Sequence, residues 1–442
     1  MPYVKHHFKK VPISGLALSS RTAVENGTLY VNPEEIKSLL VSDSNIKDVN
    51  VEVAHPGESV RIVPIKDILE PRLSRIPGYQ LFPGLLYNWD SARQFPVSGE
   101  IVSLDGAVVT TVGSIVGYQE GILDMAGPGA RYSLFSRKHH LVLDITVAEG
   151  IRRHDHERTV RMAGLKVSDY VARMALRDPV PTAGDEILVN PGIGDVPSRA
   201  PGGGRNGKPR IAYLYMLQSQ GLLHDTYYCG LDAKEMLPRT IVPTEVLFGA
   251  LVSGNCVSAC DKNTTYHHQN NPLILELLRG HGRDWDFVGC VLTNENVTLG
   301  DKQRSSTLAA DRIASLDPDG VVISKEGFGN PDADLMMNCS KIEAHGIRTV
   351  LLTDEFAGQD GASQSLVDTH PKADAILSTG NANEVVVLPP MDRIIGDDAV
   401  IRDLAGGTRK TLLPEGSVAI ELQALLGSTN QLGFESLSAR FK

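Results

Sequence analysis

Cysteine is scarce in this chain. There are five in 442 residues (Cys229, Cys256, Cys260, Cys290 and Cys339), an odd number with no repeating spacing. Such a set is not a disulfide framework; it implies a reducing, cytoplasmic setting in which each thiol is buried or reactive. Basic residues are in the minority, 43 against 53 acidic, for a formal net charge of -10. That balance excludes an extended basic surface for nucleic acid and leaves small molecules and other proteins as partners. Long apolar runs are missing too, and nothing approaches the roughly 20 residues that cross a bilayer. The run from Val11 to Leu18, behind Lys5, Lys9 and Lys10, is broken by Pro12, Ser14 and Gly15 and is too short and polar for a secretory signal.

What is present is an ordinary apolar fraction over a length sufficient for two or three domains. From Thr28 to Ile65 short apolar runs alternate with turn residues, and Val108 to Val116 is β-branched, so residues 1–150 read as a β-rich domain. Between Arg152 and Arg177, apolar residues at three- and four-residue spacing predict one amphipathic helix. Prolines and glycines then cluster from Asp178 to Arg210, a composition read as unable to hold a ladder or a helix. Its end, Pro201-Gly-Gly-Gly-Arg-Asn-Gly-Lys-Pro, lacks the spacing and following helix of a phosphate-binding P-loop and reads as a solvated loop.

The second half has a clearer rhythm. Apolar runs at Phe287–Leu292, Gly320–Ile323, Thr349–Leu352, Ala375–Leu377 and Val385–Leu388 are separated by helix-compatible stretches such as Gln303–Leu316 and Asp332–His345. The expected fold class is therefore α/β: a β-rich N-terminal domain followed by a doubly wound, mostly parallel C-terminal half. Ligands of such sheets gather at the carboxyl ends of the strands, where Thr293-Asn-Glu-Asn, Ser324-Lys-Glu-Gly and Thr353-Asp-Glu-Phe fall.

The densest run of reactive side chains is Ser253-Gly-Asn-Cys-Val-Ser-Ala-Cys-Asp-Lys-Asn-Thr-Thr-Tyr-His-His-Gln-Asn-Asn. It admits four readings. It is a polar loop with two buried cysteines; a metal site of Cys256, Cys260, His267 and His268, although the spacing is not a standard zinc one; or a nucleophilic cysteine paired with a histidine. In the fourth, the Cys256 thiolate attacks the Asn255 carbonyl, and the resulting thioester breaks down by elimination and hydrolysis to leave a pyruvoyl cap on the new chain. Self-cleavage of that kind needs a strained backbone. A second pair, Asn338-Cys339, lies within the predicted helix Asp332–His345, where a regular backbone protects the peptide bond.

The segment from Ser253 to Asn263 resembles the cleavage region of the component B proproteins of glycine, sarcosine and betaine reductases. So do Ala54-His-Pro-Gly-Glu-Ser-Val-Arg-Ile, Gln119-Glu-Gly-Ile-Leu-Asp-Met-Ala-Gly-Pro-Gly-Ala, Tyr215-Met-Leu-Gln-Ser-Gln-Gly-Leu-Leu-His-Asp-Thr, Glu326-Gly-Phe-Gly-Asn-Pro-Asp, Asp360-Gly-Ala-Ser-Gln-Ser-Leu and Leu388-Pro-Pro-Met-Asp. The likeness runs from about Val24 to the end. The basic N-terminal extension and the Gly-rich loop near Gly202 depart from the family and bear on docking more than on chemistry.

The resemblance implies a cut between Asn255 and Cys256, with Cys256 becoming the pyruvoyl group. The chain then divides into 1–150, a middle region 151–255 and a pyruvoyl-capped region 256–442. It also implies a substrate amine (glycine, sarcosine or betaine) taken up by the pyruvoyl carbonyl, which makes its nitrogen a better leaving group. A quaternary nitrogen cannot make that bond, and trimethylamine already leaves well. The displacing nucleophile is a selenolate on a selenoprotein subunit of component B, and a small carrier selenoprotein takes the product; this chain itself contains no selenocysteine. Lys262, Arg304 and Lys325 are candidates for the substrate carboxylate. His267 and His268 are candidates for moving protons, with Glu295 and Asp354 behind them. Two other classes remain beside this one: an uncleaved structural or docking homologue, and a metal-dependent enzyme using Cys256, Cys260 and His267.

Overall fold

The computed structural model describes residues 4–89, 98–116, 121–190, 207–221, 223, 226–254, 263–408, 410–432 and 438–439. The Gly-rich loop at Gly202 and the pair Asn255-Cys256, with Cys260 and Lys262, lie outside the described residues.

The N-terminal part is built from two larger sheets and a small three-stranded one of 15–18, 28–31 and 23–25. One larger sheet has four strands, in the order 183–190, 4–12, 98–105 and 72–74; the other orders 121–124, 60–69, 107–113, 139–147 and 46–54. Val60–Leu69 (β1) and Arg72–Ser74 (β2) are consecutive in the chain but belong to different sheets. All ten residues of β1 are buried. The expected helix is present as Arg153–Ala175 (α1), and its apolar stripe of Val160, Leu165, Val167 and Val171 is buried.

Two local expectations in this region are overturned. Pro33–Leu40 is a helix where strands were expected; the Asn32 side chain accepts from the Glu34 and Glu35 amides and Pro33 sits in the first turn, a strong start signal. Ala183–Asn190, within the stretch read as unable to hold a ladder, is a strand paired antiparallel with Val4–Pro12. The apolar stretch Ile187-Leu188-Val189 sits between the breakers and is long enough to pair.

The C-terminal architecture centres on a seven-stranded sheet. Arg210–Leu217 (β3) precedes the short strand Leu251–Ser253 (β4), the helices Thr265–Gln269 (α2) and Pro272–Gly280 (α3), and the strand Asp286–Asn294 (β5). Leu299–Ser315 (α4), Gly320–Ser324 (β6), Asn330–Ala344 (α5), Arg348–Glu355 (β7) and Ile376–Asn381 (β8) follow in regular alternation. In space the order is β5, β3, β6, β7, β8, all parallel, with antiparallel strands 239–241 and 438–439 at the edges. This is the doubly wound arrangement expected.

Alternation along β3 shows why both faces are covered. Ala212, Leu214 and Met216 pack with Ala309, Ala310 and Ile313 of α4 and with Leu335 and Cys339 of α5. Tyr213, Tyr215 and Leu217 point the other way, into a core with Leu277 and Leu278 of α3, Phe82 and Phe248. β3 was not among the expected strands, although it lies inside the sheet between β5 and β6.

Val385–Leu388, expected in the parallel sheet, instead pairs antiparallel with Val418–Glu421 in a separate ribbon. Its burial alternates, with Val385 at 42% and Val387 at 57% exposure; a strand covered on both faces by helices would bury all four residues. Among the described residues no helix is long and apolar enough to cross a membrane.

The N-terminal sheets and the region after residue 262 are joined by buried polar groups. Arg72, 1% exposed, donates to Glu70 Oε2 at 2.7 Å, to the Leu247 and Gln269 carbonyls at 2.6 and 2.8 Å, and to Asn270 Oδ1 at 2.7 Å. Arg72→Ala would strand the Glu70 carboxylate and two carbonyls without donors. We expect a loss of about 3–5 kcal/mol, read as a lower urea midpoint at unchanged denaturant slope; a loss under about 1 kcal/mol would contradict this role.

Candidate functional site

In the order β5, β3, β6, the winding order of the strands reverses between β3 and β6, the point at which sheets of this kind form a crevice beyond the carboxyl ends of their strands. Three buried carboxyl groups and a lysine occupy it. Glu295 follows β5; its Oε1 accepts from the Glu326 amide at 3.1 Å, so this side chain reaches across the end of β3 to the end of β6. Glu326 Oε2 accepts from the Gln218 amide at 2.6 Å, and its Oε1 from the Asn263 amide at 3.3 Å. Asp354, at the end of β7, has Lys325 Nζ 3.8 Å away, while Lys325 itself donates to Asp332.

Burial drives the electrostatics. It lifts the Glu295 carboxyl well above the usual range, the neighbouring charges of Glu326 and Asp334 add to the effect, and Lys325 opposes it. Burial likewise pushes Asp354 up to about 7, again against Lys325. Glu295 Oε2, both Asp354 oxygens and Gln218 Oε1 are buried without a hydrogen-bond partner. Native proteins leave few such atoms, and a cluster at a strand-end crevice marks a place built for a ligand.

The run that carries the reactive residues enters and leaves through this region. Upstream, β4 pairs antiparallel with Thr226–Tyr228, and the Ser253 amide donates to Thr265 Oγ1 at 3.0 Å. Thr265 is in turn held by Asp67 of β1, whose carboxylate accepts from its amide at 2.9 Å and its hydroxyl at 2.6 Å. Downstream, besides its bond to Glu326, Asn263 donates from Nδ2 to Tyr215 Oη at 2.9 Å and accepts from Asn430 at 2.7 Å. Downstream of the Asn255-Cys256 pair, Asn263 is thus anchored at the strand ends through Glu326, and upstream Ser253 is anchored to Thr265.

His267 and His268 occupy different environments. His267 completes a capping box: Thr264 Oγ1 accepts from the His267 amide at 3.3 Å, and His267 Nδ1 accepts from the Thr264 amide at 3.0 Å. The imidazole stands where Glu or Gln usually closes this motif. Its Nε2 faces Gly427, where a Cβ would lie 3.2 Å away; with φ at +83°, that position suits only glycine. Burial, then the neighbouring His268, lower its pKa to about 3. His268 Nδ1 lies 2.8 Å from Tyr215 Oη, and so connects through Tyr215 to Asn263. Burial raises the Tyr215 hydroxyl far above its ordinary value, so it stays protonated.

Of the residues expected from sequence, the structure brings Lys325, Glu295 and Asp354 to the crevice and His268 to its edge. Arg304 is on the solvent side of α4, 3.4 Å from Asp301 on the same helix, with a side chain 67% exposed. Asn255, Cys256 and Lys262 lie outside the described residues. Asn338 and Cys339 are mid-helix in α5, with the Cys339 sulfur 3.3 Å from Thr349 Oγ1. Gln218, Tyr215, Asn263, Glu326 and Asn430 were not among the residues expected from sequence. The signal for Gln218 and Glu326 was their position just past an apolar run.

A doubly wound sheet with buried, partnerless polar atoms at the strand ends beside its switch point defines an α/β protein of the class that takes ligands there. Comparison with known proteins narrows this. A family model for glycine/sarcosine/betaine reductase component B subunits matches residues 4–440. The chain is 48% identical over 436 residues, 97% of each chain, to the glycine reductase complex component B subunits alpha and beta of Acetoanaerobium sticklandii. It is 44% identical over 435 residues, 98% of each chain, to the sarcosine reductase complex component B subunit alpha of Peptoclostridium acidaminophilum. Identity to that organism's betaine reductase complex component B subunit alpha is 31% over 451 residues, 96% of this chain and 97% of the relative. No solved structure matches. The chain belongs to the family of glycine/sarcosine/betaine reductase component B subunits.

The His267 environment has a pH consequence. The unfolded chain takes up a proton on this residue below about 6.5, whereas the folded one resists until about 3. Its contribution to stability is complete above about 6.5 and is lost as pH falls through that window. His267→Gln, which can close the same capping box, should fold normally at pH 7 and show a smaller drop in urea midpoint between pH 7 and pH 4.5. An unchanged drop would contradict a buried neutral imidazole.

Proposed function

We propose that this chain is the substrate-activating subunit of a reductase complex of the glycine or sarcosine type, matured by self-cleavage between Asn255 and Cys256. The observation that carries the reading is the anchoring of Ser253 and Asn263 on either side of that pair, with buried polar atoms without partners at the strand ends that hold Asn263. A thiolate reaches the preceding carbonyl only where the backbone is held out of regular secondary structure, and fixed flanking residues serve that condition. The relative that this chain matches at 48% identity over 97% of each length is named as two subunits, alpha and beta, in one chain, which supports division of the polypeptide. Higher identity to the glycine and sarcosine proteins than to the betaine one supports a primary or secondary amine as substrate.

The residues fit a pyruvoyl group derived from Cys256: partnerless buried acceptors and a protonated tyrosine hydroxyl lie around Glu326 and Asn263, downstream of the pair. Such a group supplies an electrophilic carbonyl toward an amine. Glu326 positions the loop by holding the Asn263 and Gln218 amides. Tyr215 and Asn263 link the loop to His268, the proposed proton carrier at Nδ1. His267 fixes the start of α2, and the charge of Lys325, balanced by Asp332, favours the ionised form of Asp354 against its burial. The displacing nucleophile, a selenolate or thiolate, comes from a separate subunit, and a small carrier selenoprotein takes the product.

Intact mass and denaturing electrophoresis of protein from its native host test the reading. Two pieces, 1–255 and 256–442, are expected; the second should resist Edman sequencing and gain mass with a hydrazine or borohydride. Cys256→Ala should abolish the cut and the carbonyl, and Cys256→Ser should slow the cut. Glu326→Gln, which weakens the grip on Asn263, should lower the cut fraction. An active, intact native chain with a free α-amino terminus would sink the proposal.

A further inference from the structure

Glu295 has a feature that a purely structural carboxyl would not need. One oxygen is fixed by the Glu326 amide, while Oε2 has no partner and the residue is only 2% exposed. Beside it, Gln218 is tied through its amide to the same Glu326, and its side-chain Oε1 is also buried without a partner. Two acceptors therefore stand open at the end of β3, with no cation committed to either. Lys325 is held by Asp332, and Lys302 by Asp334. A buried acceptor without a donor is costly, and a carboxyl in that state keeps its proton.

We propose that Glu295, with Gln218, is the site that receives the nitrogen of the substrate and restricts it to amines carrying N–H bonds. An ammonium or methylammonium group supplies the donors both oxygens lack. A quaternary nitrogen has none and would press methyl groups against open acceptors. Binding converts a neutral Glu295 carboxyl and an ammonium ion into a carboxylate–ammonium pair, and the carboxyl proton passes to solvent. The proposal rests on the amine-substrate reading above but does not require the pyruvoyl group, since Glu295, Gln218 and Glu326 are in position without it.

Titration calorimetry at pH 7, in two buffers of different ionisation enthalpy, tests it with methylammonium, tetramethylammonium and potassium chlorides as probes. Wild type, Cys256→Ala and Glu295→Gln would be compared, with the cut state of each followed by intact mass. Methylammonium should bind with release of about one proton, and tetramethylammonium and potassium about tenfold or more weakly. Glu295→Gln should lose about tenfold in affinity together with the proton release, and the same loss should follow when Glu295→Gln is added to Cys256→Ala, where no carbonyl can condense with the amine. Equal binding of tetramethylammonium or potassium, or binding without proton release, would overturn the proposal even in a fully cut protein. Selective binding by an uncut chain would uphold it while the self-cleavage reading fell. If Glu295→Gln does not fold, the selectivity and proton count of Cys256→Ala, which has no carbonyl, decide alone.

Discussion

The grip of three buried residues on one short segment organises this molecule. Asp67, Glu70 and Arg72 sit at the end of β1 and in β2, and together they bind Thr265, Gln269 and Asn270. Every partner is a backbone group or a short polar side chain, so the contact has a single register, unlike apolar packing, which tolerates sliding. Because Thr265 also receives the Ser253 amide, the same anchor governs both sides of the candidate loop. Buried charge is a poor source of net stability but a strong source of specificity when each member is satisfied. Here it joins the N-terminal sheets to the strand ends.

The crevice follows the opposite rule. Glu295, Asp354 and Gln218 are buried as deeply as Arg72 but retain open acceptors. Each open acceptor lowers stability relative to a paired one. Satisfied polar groups therefore hold the frame, and unsatisfied ones are confined to the place where strand order reverses. That separation is expected where stability is given up locally for recognition.

Sequence periodicity revealed the regular part of the fold. The alternation from Phe287 to Leu377 translated directly into β5, α4, β6, α5, β7 and β8, because strands buried on both faces must be continuously apolar. It failed where tertiary context outweighed composition. Ala183–Asn190 is a strand because Val4–Pro12 lies beside it, and Val385–Leu388 left the parallel sheet because only alternate residues are covered. Within the site, Glu295, Asp354 and Lys325 were legible as residues just past strand ends. The difference between His267 and His268 was not, because it depends on Thr264 and Tyr215, which are close in space to one ring and not the other. Arg304 illustrates the converse: its chemistry suited a carboxylate ligand, but helical phase turned it to solvent.

One feature of the main sheet bears on assembly. β3 precedes the candidate loop, yet both of its neighbours, β5 and β6, follow it; conversely, Arg393–Gly396 returns to lie against β1. A break anywhere between Gly254 and Asn263 would therefore pass between interlocked halves, with each piece lacking strands that complete its core. For such a pair, folding and association are a single equilibrium, so dissociation exposes the interior and apparent stability rises with protein concentration. The two pieces would behave as one obligate heterodimer whose interface is the hydrophobic core itself, and neither could be exchanged between complexes without unfolding.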